Sequence, residues 1–273
     1  MNPYKNMSLK RIYAIFLRQI YLIKGSPIRF FQIFIWLTVD IATWGFISKY
    51  LNGISGSGLN FIPLFLGAVL LWDFQGQVMQ GVTMSFFEDV WSRNFLNMFA
   101  SPLRIFEYIT GLVITSIGRS VFALIAMLVL AALAFGLSVF IYGASLALFI
   151  VILFLFGIAL GIFGISIVLR LGPPAEWFVW PIPALLSPFV GVFYPLSTLP
   201  QWMQFIGKIL PSSYVFEGIR GIVSGQGFSA VTLIWGILLA LVYIVLAYGV
   251  FLLVYRKAIR TGLIARYSAE SIN

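Results

Sequence analysis

Three charges stand where charge is expensive. Asp40, Asp73 and Arg119 each fall inside a long apolar run, and Asp73 is followed by Gln75, Gln77 and Gln80. An ionisable side chain at membrane depth is a functional candidate by default, because placing it there costs about 3 kcal/mol or more. Two readings are open for Asp40, Asp73, Gln77 and Arg119. They line a polar path for a solute, or an aspartate pairs with Arg119 and holds two helices together. No second carboxylate stands at helical spacing from Asp73, so the pattern gives no sign of a proton relay. Other chemistry is excluded by absence. The chain has no Cys and no His, which removes thiol catalysis, Cys/His metal sites and any Ser-His relay. Gly207-Lys208-Ile209 has no glycine-rich loop before it, so the chain carries no phosphate-cradling motif of the GxxxxGK[ST] kind. We expect no enzyme, no metal and no cofactor bound by this chain.

The elements that must position these residues are membrane helices. The composition is 61% hydrophobic and 9% charged, against about 25% charged in a soluble domain, and mean hydropathy is +1.04. This predicts an all-α integral membrane protein forming one domain over 1–273. A span needs roughly 20 apolar residues, and six runs qualify: 29–50, 61–84, 108–137, 144–170, 178–196 and 230–255. The shortest, the fifth, contains Pro181, Pro183 and Pro188. Lys5, Lys10, Arg11, Arg18, Lys24 and Arg29 precede the first run, and Arg256, Lys257, Arg260 and Arg266 follow or end the last. The positive-inside rule then puts residues 1–28, the tail 256–273 and both termini in the cytoplasm, with the six-span bundle over 29–255. The formal charge of +9 sits beside apolar spans and reads as topology, not as a nucleic-acid footprint.

Three further segments are neither spans nor plain loops. In 8–24, Leu9, Ile12, Tyr13, Phe16, Leu17, Ile20 and Tyr21 recur at helical spacing, while Lys10, Arg11, Arg18 and Gln19 fall elsewhere. This predicts an amphipathic helix lying on the cytoplasmic face, ended by Gly25-Ser26-Pro27. In 85–100, Ser85 followed by Glu88 makes a capping-box spacing, and acids at Glu88 and Asp89 suit a helix start. Phe86, Phe87, Val90, Trp91, Phe95 and Phe99 offer an apolar face, with Arg93 beside it, and Ser101-Pro102 ends the segment. We expect a cytoplasmic docking helix here. In 194–228, Pro195, Pro200 and Pro211 divide a stretch too apolar for a free loop and too broken for a span. It predicts a re-entrant hairpin, with Glu217 and Arg220 paired at i, i+3. Gly157, Gly161 and Gly164 permit close packing on the fourth run.

Together these residues resemble a family. The amphipathic helix 8–24, the pattern E-D-x-W-S-R-N-x-L-N-x-x-x-S-P from Glu88 to Pro102, and Y-P-x-S-x-L-P-x-W with P-x-x-Y-x-x-E-x-x-R from Tyr194 to Arg220 are similar to permease subunits of the type-2 ATP-binding-cassette exporters. The resemblance covers nearly the whole chain. It implies a six-helix half-transporter in the cell membrane that pairs with a second permease subunit, as a homodimer in preference to a heterodimer. Two ATPase subunits, which hold the ATP and Mg, would dock beneath. The resemblance implies that Glu88, Asp89, Trp91 and Arg93 belong to the coupling helix, and Pro200, Pro211, Glu217 and Arg220 to an extracytoplasmic hairpin. It carries over no cargo-contact residue. Phe99-Ala100-Ser101-Pro102-Leu103-Arg104, without the basic run of polysaccharide exporters, looks closer to the drug, lipid or natural-product branch. A polysaccharide or lipid-linked glycan is the alternative cargo. An ion-driven secondary transporter using Asp40 or Asp73 is the alternative from another class.

Overall fold

The computed structural model describes residues 8–25, 27–54, 60–92, 98, 101–227 and 229–262; at positions 23 and 27–34 it describes the backbone alone. Among the described residues there are helices and turns and no strand. Helix α1 is Leu9–Lys24, and α2, Pro27–Ile54, opens on a proline whose missing N–H costs nothing at a helix start. A π-helical turn, Ile62–Leu66, leads into α3, Gly67–Trp91. Helix α4, Ile105–Phe135, ends at Gly136 in the left-handed region (φ 68°), with Gly136 and Leu137 N–H groups closing on the carbonyls of Ala132 and Ala131. Helix α5, Ser145–Leu171, stops at Gly172 before Pro173-Pro174.

The remaining chain alternates short and long pieces. These are α6, Glu176–Val179; α7, Ile182–Val190; α8, Gln201–Ile209; α9, Pro211–Val223; and α10, Ala230–Arg260. Among the described residues, four helical stretches are long and apolar enough to cross a membrane: Ile62–Trp91, Ile105–Phe135, Ser145–Leu171 and Ala230–Arg260. The first apolar run falls on the 28-residue α2.

The bundle is built on α3 and α5. They run in the same direction, and the glycines of α5 let the two backbones touch. A Cβ placed on Gly157 would lie 2.8 Å from Val78 Cβ and 2.9 Å from the Gln75 carbonyl oxygen; on Gly161 it would lie 2.8 Å from Val82 Cβ. Helix α4 runs the opposite way against α3, where the Ser116 hydroxyl donates to the Val78 carbonyl at 2.8 Å. Helix α10 packs along α5, with Gly236 on Ile152 and the Phe156 and Tyr243 rings 5.1 Å apart. Its other face, including Leu241, Val245 and Leu253, is exposed. At the end where α3 and α5 begin, Tyr142 inserts between them and donates to the Pro63 carbonyl at 2.5 Å.

Two local expectations change. Ser85 does not start a helix. It is buried about five turns into α3, and its hydroxyl bonds back to the Gly81 carbonyl at 3.0 Å. A serine can satisfy itself this way inside a helix, so the capping spacing alone did not decide. The fifth apolar run is not one helix over 178–196. Residues there divide into the end of α6, the turn at Trp180-Pro181, and α7. Gly191 closes α7 with φ 70°, a conformation that favours glycine.

Candidate functional site

Helix α1 is pinned to the bundle by its charges, not only by its apolar stripe. Ile12 and Ile15 are buried, and Gly111 of α4 sits so close that an added Cβ would lie 2.7 Å from Ile15. Leu9, Tyr13 and Tyr21, three members of the expected stripe, are exposed. The arginines point inward instead. Arg11 donates to both Glu107 carboxylate oxygens at 3.2 and 3.1 Å, and to the Pro102 carbonyl at 2.8 Å. Seven residues on, Arg18 pairs with Asp89 and also contacts the Met98 sulfur. Asp89 and Glu107 are both 0% exposed.

Each carboxylate is further satisfied. Glu107 accepts from the Ser8 N–H at 2.8 Å and from the Arg104 N–H at 3.0 Å, the latter closing the first turn of α4. Asp89 accepts from the fully buried Tyr108 hydroxyl at 2.7 Å. Burial works against the Arg18 charge, but the hydrogen bond to Asp89 and its charge outweigh that and hold the guanidinium above its ordinary range. The result is a latch joining α1 to the end of α3 and the start of α4.

The candidate docking residues therefore separate. Asp89 is interior and committed to the latch. Glu88 is half-buried. Trp91 is 48% exposed, and its indole N–H donates to Glu176 of α6 at 2.9 Å. Arg93, Phe95 and Phe99 lie outside the described residues. Arg11, Arg18, Glu107, Tyr108 and Glu176 were missed as site residues. The Arg104-x-x-Glu107 spacing was the one signal that could have found Glu107. The pairing partners of the arginines lie 71 to 96 residues away, beyond any local pattern.

The intramembrane candidates come together in a cavity of about 510 Å³ between α2, α3, α4 and α7. Asp40, Asp73, Gln77 and Arg119 all line it, with Trp36, Trp72 and Trp180. No ion pair between Arg119 and either aspartate is present. Asp73 Oδ2, Gln77 Oε1 and Arg119 Nε are buried without a hydrogen-bond partner. Buried polar atoms are normally satisfied; Gln19, Ser213 and Arg220 each keep such an atom elsewhere, and these three are the ones that belong to residues lining the cavity.

The hairpin after α7 is held by one half-buried network. Glu217 accepts from the Leu196 N–H and from Arg220, each at 2.8 Å, and Arg220 also donates to the Gly191 carbonyl at 2.6 Å. Pro211 is buried where α9 begins, and the next residue, Ser212, bonds to Gln75 of α3 at 2.5 Å. Pro200 is exposed at the start of α8. Because Gln75 lies well inside α3, the junction of α8 and α9 sits within the bundle, not above it. Arg220→Met is expected to lower stability by about 1 kcal/mol, since the Gly191 carbonyl loses its donor while water can reach the part-exposed Glu217. Glu217→Gln, which keeps an acceptor for Leu196 and Arg220, is expected to lose less. Thermal unfolding of the two purified variants checks the order.

A helical chain with four membrane-length helices and a latched amphipathic helix at one end is a multi-pass membrane protein. A family model described as ABC-2 type transporter matches residues 10–224. The chain belongs to this family, the permease component of type-2 ABC transporters. A search among curated proteins found no match.

Proposed function

We propose that this chain is the membrane-spanning subunit of an ATP-driven exporter, and that its cargo is a hydrophobic or amphipathic small molecule. The observation that carries the reading is the cavity, which Trp36, Trp72 and Trp180 line together with Asp73, Gln77 and Arg119, each of which keeps an unpartnered polar atom. Its volume falls in the range of sites for small organic ligands, and a mixed lining suits a cargo that is itself mixed. In this reading two copies of the chain pair. Two ATPase subunits dock at the cytoplasmic end that carries α1, Trp91 and the basic end of α10. Both termini are cytoplasmic, and the hairpin of α8 and α9 faces the other side. Family membership and the absence of a phosphate-binding loop in the sequence support a separate ATPase.

Affinity purification of the tagged chain in mild detergent tests the machine. A stoichiometric P-loop protein is the expected companion; a lone oligomer, with transport persisting without any ATPase, would move the reading to an ion-driven carrier using Asp73. With the complex in hand, Trp91→Ala is expected to reduce ATP-coupled transport roughly tenfold while ATP hydrolysis continues. Transport at the wild-type level would remove Trp91 from the coupling path.

A further inference from the structure

The wall of the cavity carries more carboxyl groups than guanidinium groups. Asp40 and Asp73 contribute two carboxylates, and Arg119 one cation. Asp73 keeps one oxygen buried with no donor. A neutral apolar cargo would leave that oxygen unmatched, which is costly in a low-dielectric site. An anion would meet both carboxylates. A cation supplies what Asp73 lacks, and the faces of Trp36, Trp72 and Trp180 attract cations by their ring quadrupoles. At about 510 Å³ the space exceeds that of a hydrated metal ion and fits a bulky organic body.

We propose that the cavity is selective for organic cations with an aromatic or bulky apolar body, held by Asp73 and Asp40 among Trp36, Trp72 and Trp180. This rests on the reading of the cavity as the cargo site.

The chain has no cysteine, so a single introduced thiol reports the local potential without background. Gly76 lines the cavity, and a Cβ there meets no atom within 4 Å. Gly76→Cys in the full complex in native membranes is treated with a quaternary-ammonium methanethiosulfonate and with its sulfonate counterpart. Each rate is divided by that of the same reagent with a free thiol in solution. The expected normalised preference for the cationic reagent is at least about tenfold. It collapses toward unity when Asp73→Asn is added. Tetraphenylphosphonium slows labelling, and its isosteric anion tetraphenylborate does not. Ala184→Cys, on the facing wall, and Asp40→Asn are the second thiol and the second charge variant if either of the first fails to fold. Equal normalised rates, a faster sulfonate, or equal protection by the anion would overturn the charge selectivity while leaving a wet cavity and the cargo-path reading intact. If neither reagent reacts at either position, the cavity is closed to solutes and the cargo-path reading fails along with the inference.

Discussion

Asp89→Ala is expected to destabilise the protein by about 3 kcal/mol, and to do so without being a docking mutation. Removing one partner of a buried ion pair typically costs about 3–5 kcal/mol, because the other charge stays behind. Here it also removes the acceptor of the buried Tyr108 hydroxyl's hydrogen bond to Asp89. Arg18 keeps 28% of its side chain exposed, so water takes up part of its charge and the effect falls at the low end. Arg18→Met combined with Asp89→Leu is expected to recover much of the loss, since neither charge then remains. Denaturation of the purified variants, followed by tryptophan fluorescence, gives the comparison. If Asp89→Ala unfolds like the parent, the latch contributes nothing. If the double variant is worse than the sum of its parts, the ion pair was not the unit of stabilisation.

Gly157→Leu is expected to be comparably damaging by a different route. The nearest obstacles to a new side chain are a Cβ at 2.8 Å and a backbone oxygen at 2.9 Å, both on α3. Neither is the movable tip of a side chain. Helix α3 is held from its other side by Ser116, so it cannot yield without breaking that contact as well. Overpacking of a tight core costs about 1–3 kcal/mol; Gly157→Ala should fall near the lower value and Gly157→Leu at or above the upper. Gly249→Leu, where an added Cβ meets nothing within 4 Å, is the control expected to leave stability unchanged. The fraction of monodisperse protein and the unfolding temperature distinguish the three. A Gly157→Leu protein as stable as the control would mean that α3 and α5 do not depend on this contact.

The long helices were legible because twenty or more apolar residues in a row admit few other structures. The family was legible from spaced motifs, and the match over 10–224 agrees. What was not legible has specific causes. The stripe of α1 says that one face avoids water, but periodicity cannot say whether protein or lipid meets it. The answer came from Arg11 and Arg18, whose partners Glu107 and Asp89 are distant in the chain. Ser85 misled because capping and back-bonding use the same hydroxyl, and continuation of the helix won. The division of the fifth run followed from Pro181 and Pro183, which were visible, but where the chain would turn depended on Gly191 and on the hold of Arg220 on its carbonyl. The cavity could not be seen at all from spacing. Asp40, Asp73 and Arg119 stand on three helices, and only packing puts them around one space.

Because Ser85 caps nothing, α3 runs without proline or interruption from Gly67 to Trp91. The 18 steps from Asp73 to Trp91 span about 27 Å at 1.5 Å per residue. Such a length of intact helix behaves as a stiff pushrod. A thrust or twist applied at Trp91 arrives at Asp73 nearly whole, and Gln75, with the hairpin bonded to it through Ser212, moves as well. At the opposite end the rod continues from the π-helical turn Ile62–Leu66, a winding rare in helices. If an ATPase docks at the latch end as proposed, an uninterrupted α3 is the element that would carry a displacement there to the residues around the cavity.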